Sequence, residues 1–233
     1  MTLINGLEEL KIDYDNKKLN QTETFYEMLI EKNKVMNLTR ITDREDFYVK
    51  HVLDSLLIVK LIDISDQSII DIGTGAGFPG IPIKIFFPDT KITLLDSLNK
   101  RILFLNEVIE KTGLKDISTI HGRAEEVSRD KDHREKYDLA LSRAVANMSV
   151  LSELCIPFVK TGGQFIAYKS SDSKQETDDA CNAVKILSGG DINVSRYKLP
   201  ESEIYRNIVL INKKTSTPKK YPRNPGVISK NPL

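Results

Sequence analysis

DIGTGAGFPGIPIKI, residues 71–85, decides the fold. With the preceding Ser68, Ile69 and Ile70 its first residues read as a short buried strand, SIIDIG, and PGIPIKIFF reads as a helix. Between them stand Gly73, Gly75 and Gly77. Glycines at a strand-to-helix turn let the backbone bend sharply and let a ligand approach the main chain at the carboxyl edge of a sheet. The spacing is GxGxG; a GxGxxG dinucleotide fingerprint would need glycine at 78, where Phe78 stands. No Walker A lysine follows, which argues against a nucleotide triphosphatase.

Outward from this turn the strand–helix alternation repeats. KITLLD (91–96), ISTI (117–120), YDLALS (137–142) and GQFIAYK (163–169) read as strands. KRILFLNEVIEKTG (100–113), closed by Gly113, and SVLSELCIPFV (149–159) read as helices. Apolar strands alternating with helices predict a mostly parallel sheet covered on both faces. DINVSRYKL (191–199) and RNIVLIN (206–212), separated only by PESEIY, leave no room for a crossover and predict a terminal antiparallel hairpin. Upstream, residues 1–65 carry helical patterns: near Leu3–Leu10, over Leu19–Lys34, and from Thr42–Asp43 onward with Val49, Val52, Leu53, Leu56 and Val59 on one face. The expected organisation is a helical extension (1–65), an α/β unit (66–213) and a basic, proline-rich tail (214–233).

Charge separates the tail from the body. The chain has 34 Lys+Arg and 33 Asp+Glu, and every acid precedes residue 204. Residues 204–233 hold seven basic groups, giving a tail of +7 on a body of −6. TSTPKKYPRNPGVISKNPL, with four prolines, is expected to be extended and to meet a polyanion by charge. The N-terminus MTLINGLEELKID lacks a basic-then-apolar pattern, so no signal peptide is expected; no apolar run nears the ~18 residues of a membrane span. A cytoplasmic protein is expected. Two cysteines without a CxxC and three histidines predict no metal site.

The strand ends carry the chemistry. Asp96 closes the second strand about twenty residues beyond the glycines, where a carboxylate accepts the hydroxyls of an adenosine ribose. The third strand ends in HGRAEE, which places Arg123, Ala124 and Glu125 on the same edge, and the fourth ends in Ser142 and Arg143. Four strands ending in polar residues at one edge point to a nucleoside-containing cofactor. The GxGxG turn, the acid on strand two and the terminal hairpin fit S-adenosylmethionine better than NAD. His51, Asp54 and Ser55 fall at i, i+3 and i+4 on the third helix, opposite its apolar face; without a nucleophile elbow they are not a hydrolase triad.

With these blocks in view, the sequence resembles the bacterial 16S rRNA guanine-N7 methyltransferase family, formerly named glucose-inhibited division protein B. The resemblance rests on MNLTRITDREDFYVKHVLDSL (36–56), DIGTGAGFPGIPIKI (71–85), LLDSLNKRILFL (94–105), GRAE (122–125), SRAVA (142–146) and TPKKYPRNPG (217–226), in order along nearly the whole chain. It implies a Rossmann-like class I methyltransferase fold, a seven-stranded sheet with an N-terminal helical extension, acting on one guanine in the 530 loop of small-subunit rRNA. Residue by residue it implies cofactor contacts at Gly73, Phe78, Asp96, Ala124, Glu125 and Arg143, with Gly75 of the same turn beside them.

The chemistry agrees with that implication. There is no (N/D)PP(Y/F) motif after strand four, and neither Cys155 nor Cys181 sits where a pyrimidine-C5 nucleophile would. Guanine N7 has an in-plane lone pair and no proton to lose, so positioning does the work. Arg143 or Lys169 is the expected group to orient the base through O6. Asn37, His51, Arg123, Lys219, Lys220 and Arg223 are the candidate RNA contacts, with Lys100 and Arg101 nearby. The expected partner is 16S rRNA or the small ribosomal subunit, met by a monomer. A protein or small-molecule methyl acceptor, or a ribosome-assembly module without turnover, remain as competing readings.

Overall fold

Side chains alternate along Ser68–Ile72 (β1) between two apolar cores: Ile69 enters one, Ile70 and Ile72 the other. Leu94 and Leu95 divide in the same way, as do Leu141 and Ala140. A sheet buried on both faces follows. In the computed structural model, which describes residues 2–143, 146–170 and 174–233, the strands are β1, β2 (Lys91–Asp96), β3 (Ile117–His121), β4 (Tyr137–Arg143), β5 (Val159–Ser170), β6 (Gly189–Lys198) and β7 (Tyr205–Lys213). Their order is β3-β2-β1-β4-β5-β7-β6, parallel up to β5, with β7 antiparallel to both β5 and β6. The order reverses between β1 and β4, and a crevice opens outside the carboxyl ends at such a switch point. Ala144 and Val145 of the SRAVA block lie outside the described residues.

One face is covered by the N-terminal helices α1 (Thr2–Glu9), α2 (Asn16–Met36), α3 (Arg44–Phe47) and α4 (Asp54–Leu56), together with α5 (Gly80–Phe86) and α6 (Asn99–Thr112). Leu7, Phe25, Leu29, Phe47, Leu53 and Leu56 are fully buried in the same cluster as Leu94 and Leu141. At about 1.5–3 kcal/mol for each such side chain, the burial of these residues makes the extension part of the main core. The other face carries α7 (Ala124–Val127), α8 (Met148–Cys155), α9 (Lys174–Asp179), α10 (Cys181–Ile186) and α11 (Pro225–Lys230). Among the described residues no helix is long and apolar enough to cross a membrane.

Four local readings change. Asp15 caps α2 by accepting from the Lys18 amide, so that helix starts at Asn16 and not at Leu19. Asp43, not Thr42, caps α3, accepting from the Asp46 amide. The helix beyond α3 opens into a π turn over Tyr48–Leu53, which turns His51, Asp54 and Ser55 inward: all three are buried, not opposite a buried face. Residues 174–186, unassigned from sequence, form α9 and α10, with Ala183 and Val184 in the core.

The tail is the largest departure from expectation. It is not a free extended strand. Tyr221 and Ile228 are buried, Arg134 donates to the carbonyls of Thr217 and Tyr221, and Arg223 grips Glu153 of α8.

Close approach of α5 to the sheet depends on Gly80. A Cβ there would overlap the Leu94 side chain and stand 3.0 Å from Asp71 Oδ2. Overpacking costs about 1–3 kcal/mol and alanine's helix preference returns only about 1. The overlap with buried Leu94 puts the cost at the upper end of that range, so Gly80→Ala is expected to lower the unfolding free energy by about 1–2 kcal/mol in a urea titration; wild-type stability would show that α5 can retreat.

Candidate functional site

The glycine turn is braced from below and from the side. Gly73 and Thr74 amides both donate to the Leu95 carbonyl, at 2.9 and 3.1 Å. Gly73, Gly75 and Gly77 all take positive φ, a region that L side chains rarely adopt. A Cβ on Gly75 would meet only the Gly73 carbonyl at 3.9 Å, so this glycine keeps the cleft floor open. A Cβ on Gly77 would strike Ile81 and Leu105 at 2.7 and 2.9 Å; that glycine serves packing.

Asp96, 3 % exposed at the end of β2, ties three segments together. Its Oδ2 accepts from the Gly75 amide at 2.9 Å and from Arg101 Nη1 at 3.2 Å, while Oδ1 accepts from the Leu98 amide at 2.9 Å. Next to it, β3 ends and α7 begins, bringing Gly122, Ala124 and Glu125 to the wall. Exposed Arg123 reaches back to Glu125 at 3.5 Å. The cleft these elements enclose has a volume of about 570 Å³, within the range of small-molecule and cofactor sites.

The facing wall is aromatic and cationic. Phe78 stacks on His51 with centroids 4.3 Å apart, and the Arg143 guanidinium lies 5.0 Å over the Phe78 ring. Arg143 Nη1 donates to the Lys50 carbonyl at 3.2 Å and to Asp54 Oδ2 at 2.9 Å, and Nη2 donates to His51 Nδ1 at 3.0 Å. Arg206 from β7 donates to the other Asp54 oxygen at 3.0 Å. Because His51 Nδ1 accepts from Arg143, its Nε2 proton points to Thr39 Oγ1, 2.8 Å away. Both ring nitrogens are thus committed. Burial, reinforced by the Arg143 charge, lowers His51 from its ordinary 6.5 to about 3. Beneath the turn, burial raises Asp71 from 3.8 to about 6, against hydrogen bonds from Thr74 Oγ1 and the Gly80 amide; its Oδ1 has no hydrogen-bond partner among the described residues.

The structure therefore gathers Gly73, Gly75, Phe78, Asp96, Arg123, Ala124, Glu125, His51 and Arg143 around one cleft. Lys169 does not line it: its Nζ is held by Glu176 and the Ala146 carbonyl. Asn37 is an exposed left-handed cap ending α2, and Leu38 and Thr39 beyond it reach the site instead. Asn at a helix C-cap marks such a turn in sequence, yet it does not say which following side chain points inward. Lys219 and Lys220 sit between Thr217 and Tyr221, which Arg134 holds just before β4 begins. Both are exposed, and neither lines the cleft. Arg223 is taken up by Glu153.

Residues 18–205 match the family described as rRNA small subunit methyltransferase G. The chain is 47 % identical to "Ribosomal RNA small subunit methyltransferase G" of Alkaliphilus metalliredigens, covering all of this chain and 98 % of that one. It is 49 % identical to the protein of the same name from Acetivibrio thermocellus, covering 99 % and 95 %. Among solved structures it is similar in fold to a putative S-adenosyl-L-methionine-dependent methyltransferase from Methanococcus maripaludis, with a TM-score of 0.55 at 15 % identity over 82 % of this chain and 93 % of that one.

The two shifted groups pull stability in opposite directions with pH. His51 has a folded value below its unfolded one, so its contribution is complete above 6.5 and is lost as pH falls towards 3. Asp71 has a raised folded value, so its contribution is complete below 3.8 and is lost as pH rises through about 6. Replacing His51 with glutamine is expected to flatten the loss of stability between pH 6.5 and 4, by roughly 1 kcal/mol per pH unit, in denaturant titrations at stepped pH. An unchanged slope would mean that His51 is charged in the native state.

Proposed function

The chain belongs to the rRNA small subunit methyltransferase G family, and from that premise we propose that it transfers a methyl group from S-adenosylmethionine to N7 of a guanine in the 530 loop of 16S rRNA. The observation that carries this reading is the meeting, in one cleft, of a nucleoside seat built on Gly75 and Asp96 with the fixed Phe78–His51–Arg143 wall.

The residues present fit the cofactor. Asp96 keeps acceptor capacity for the ribose hydroxyls beyond its three protein bonds, and the open face of Gly75 leaves room for backbone approach. Ala124 and Glu125 flank the adenosine end, and Asp71 Oδ1, unpartnered among the described residues, lies beneath the turn, where a cationic amino group would be favoured. When bound, this cofactor supplies an electrophilic methyl group.

What the protein must add is placement. Guanine N7 presents a lone pair and releases no proton, so no general base is required. The cleft wall agrees: His51 has both nitrogens occupied and is neutral across the physiological range. Burial holds the Cys155 thiol well above its usual range, and Cys181 lies outside the cleft, so a covalent cysteine adduct has no support. Arg143 spends three N–H groups on the Lys50 carbonyl, Asp54 and His51, which leaves its Nε and one Nη2 hydrogen to orient the base through O6. Exposed Arg123 at the rim is suited to a phosphate.

Incubating the protein with labelled S-adenosylmethionine and either small ribosomal subunits, total protein or small-molecule extract tests the proposal. Mass spectrometry should place N7-methylguanosine in the 530 loop; label in protein or small molecules alone would overturn it. Arg143→Ala is expected to lower kcat/KM for ribosomal substrate by about 10²–10³, the usual cost of losing one fixed donor at the reacting centre. Unaltered kinetics would remove Arg143 from that role.

A further inference from the structure

The segment that follows β7 is fastened to the backs of both helices that wall the cofactor end of the cleft. On one side is α8. Glu153, fully buried, accepts from the Arg223 amide at 2.7 Å, from Nε at 2.9 and 3.1 Å and from Nη2 at 2.7 Å. The next residue, Leu154, lines the cleft. On the other side is α7, whose Ala124 and Glu125 line the cleft; the turns that follow it carry Arg129, next after its C-cap Ser128, and Arg134, which donates to the Ser128 carbonyl at 3.3 Å. Arg129 donates to the Pro222 carbonyl, and Arg134 donates to those of Tyr221 and Thr217 at 3.0 and 2.9 Å. Between the two helices, buried Tyr221 joins the apolar cluster that holds Ala124, Val127 and Leu154.

The energetics make this a constraint and not a decoration. A carboxylate with no exposed surface needs its cation, and here every described bond to it comes from one tail residue. The seating of α8 and the docking of the tail therefore require each other. Arg129 and Arg134 extend the same dependence to α7. Tail charge facing solvent has no part in it, since exposed Lys219 and Lys220 make none of these described bonds.

We propose that Arg223 is a positioning residue for cofactor binding: anchored on Glu153, it makes residues 217–223 a strap that splints α7 and α8 from behind. Cleft occupancy and strap docking are then coupled, and the coupling is reciprocal. A ligand that fills the space between Ala124 and Leu154 tightens the strap by the same factor by which the docked strap tightens the ligand. The inference rests on the proposed cofactor, and goes beyond it by giving the tail a task distinct from RNA contact.

The test uses the full-length chain and S-adenosylhomocysteine. In wild type, this ligand is expected to slow hydrogen exchange across residues 219–223 by about tenfold; the Arg223 amide, bonded to Glu153, is a direct reporter. By calorimetry, Arg223→Gln is expected to weaken the ligand by about the same factor, with Arg223→Lys recovering part of the loss. Ligand-independent exchange in the wild-type tail, or wild-type affinity in Arg223→Gln, overturns the strap. The exchange arm needs no variant, so it decides even if Arg223→Gln does not fold. Wild-type protein that takes up no S-adenosylhomocysteine overturns the cofactor reading itself, and the coupling with it.

Discussion

The contact on which the site depends is the ion pair between Arg143 and Asp54. It joins the end of β4 to the start of α4, and so fixes the N-terminal extension against the sheet at the one edge where the strand order opens. Both partners are nearly removed from water, the arginine side chain 14 % and the aspartate 5 % exposed. Burying one charge without the other is strongly unfavourable, so the π turn, the neutral His51 and the Phe78 stack all accommodate this pair. Arg206 shares the same carboxylate from β7, which brings a third element of the fold to the same point. The wall is rigid because three separate parts of the chain meet on one acidic side chain.

That rigidity matches a reaction that asks for alignment. A site built for proton abstraction would show a base with a free lone pair and a value near neutrality. Here the histidine is committed at both nitrogens, the cysteine beside the sheet is buried, and Asp71, whose value is raised to about 6, lies fully buried beneath the glycine turn and outside the cleft lining. The hydrogen bonds go instead to holding an arginine, an aromatic ring and a glycine turn in place.

How much of this was legible from sequence follows from the range of each interaction. The strands and the glycine turn were legible because their signals are local: apolar runs, three glycines, an aspartate at a strand end. The family match along residues 18–205 takes in five of the six blocks that carried the resemblance, the tail block 217–226 lying beyond it. The helices at 174–186 were not, because their buried positions are mostly small, with Ala180 and Ala183 among them, and polar residues surround them. The π turn was hidden because ordinary helical spacing places His51, Asp54 and Ser55 outward, while the partners of His51 and Asp54, Arg143 and Arg206, lie far along the chain. The docking of the tail is hidden for a related reason. Its prolines and cations describe a solvated segment, while the acid that binds Arg223 lies seventy residues earlier in the chain. A lone glutamate inside the apolar helix SVLSELC was the one trace of that pairing.

The bond from the Gly75 amide to Asp96 has a consequence for how a ligand enters. Glycine-rich turns are intrinsically floppy, and freezing one during association would cost entropy. Here the carboxylate clasps the turn and holds the Leu98 amide with its other oxygen, so the turn is ordered by the protein's own bonds. Bonds of this kind leave fewer degrees of freedom for a ligand to freeze on association. Affinity in such a site is governed by shape and by the water released.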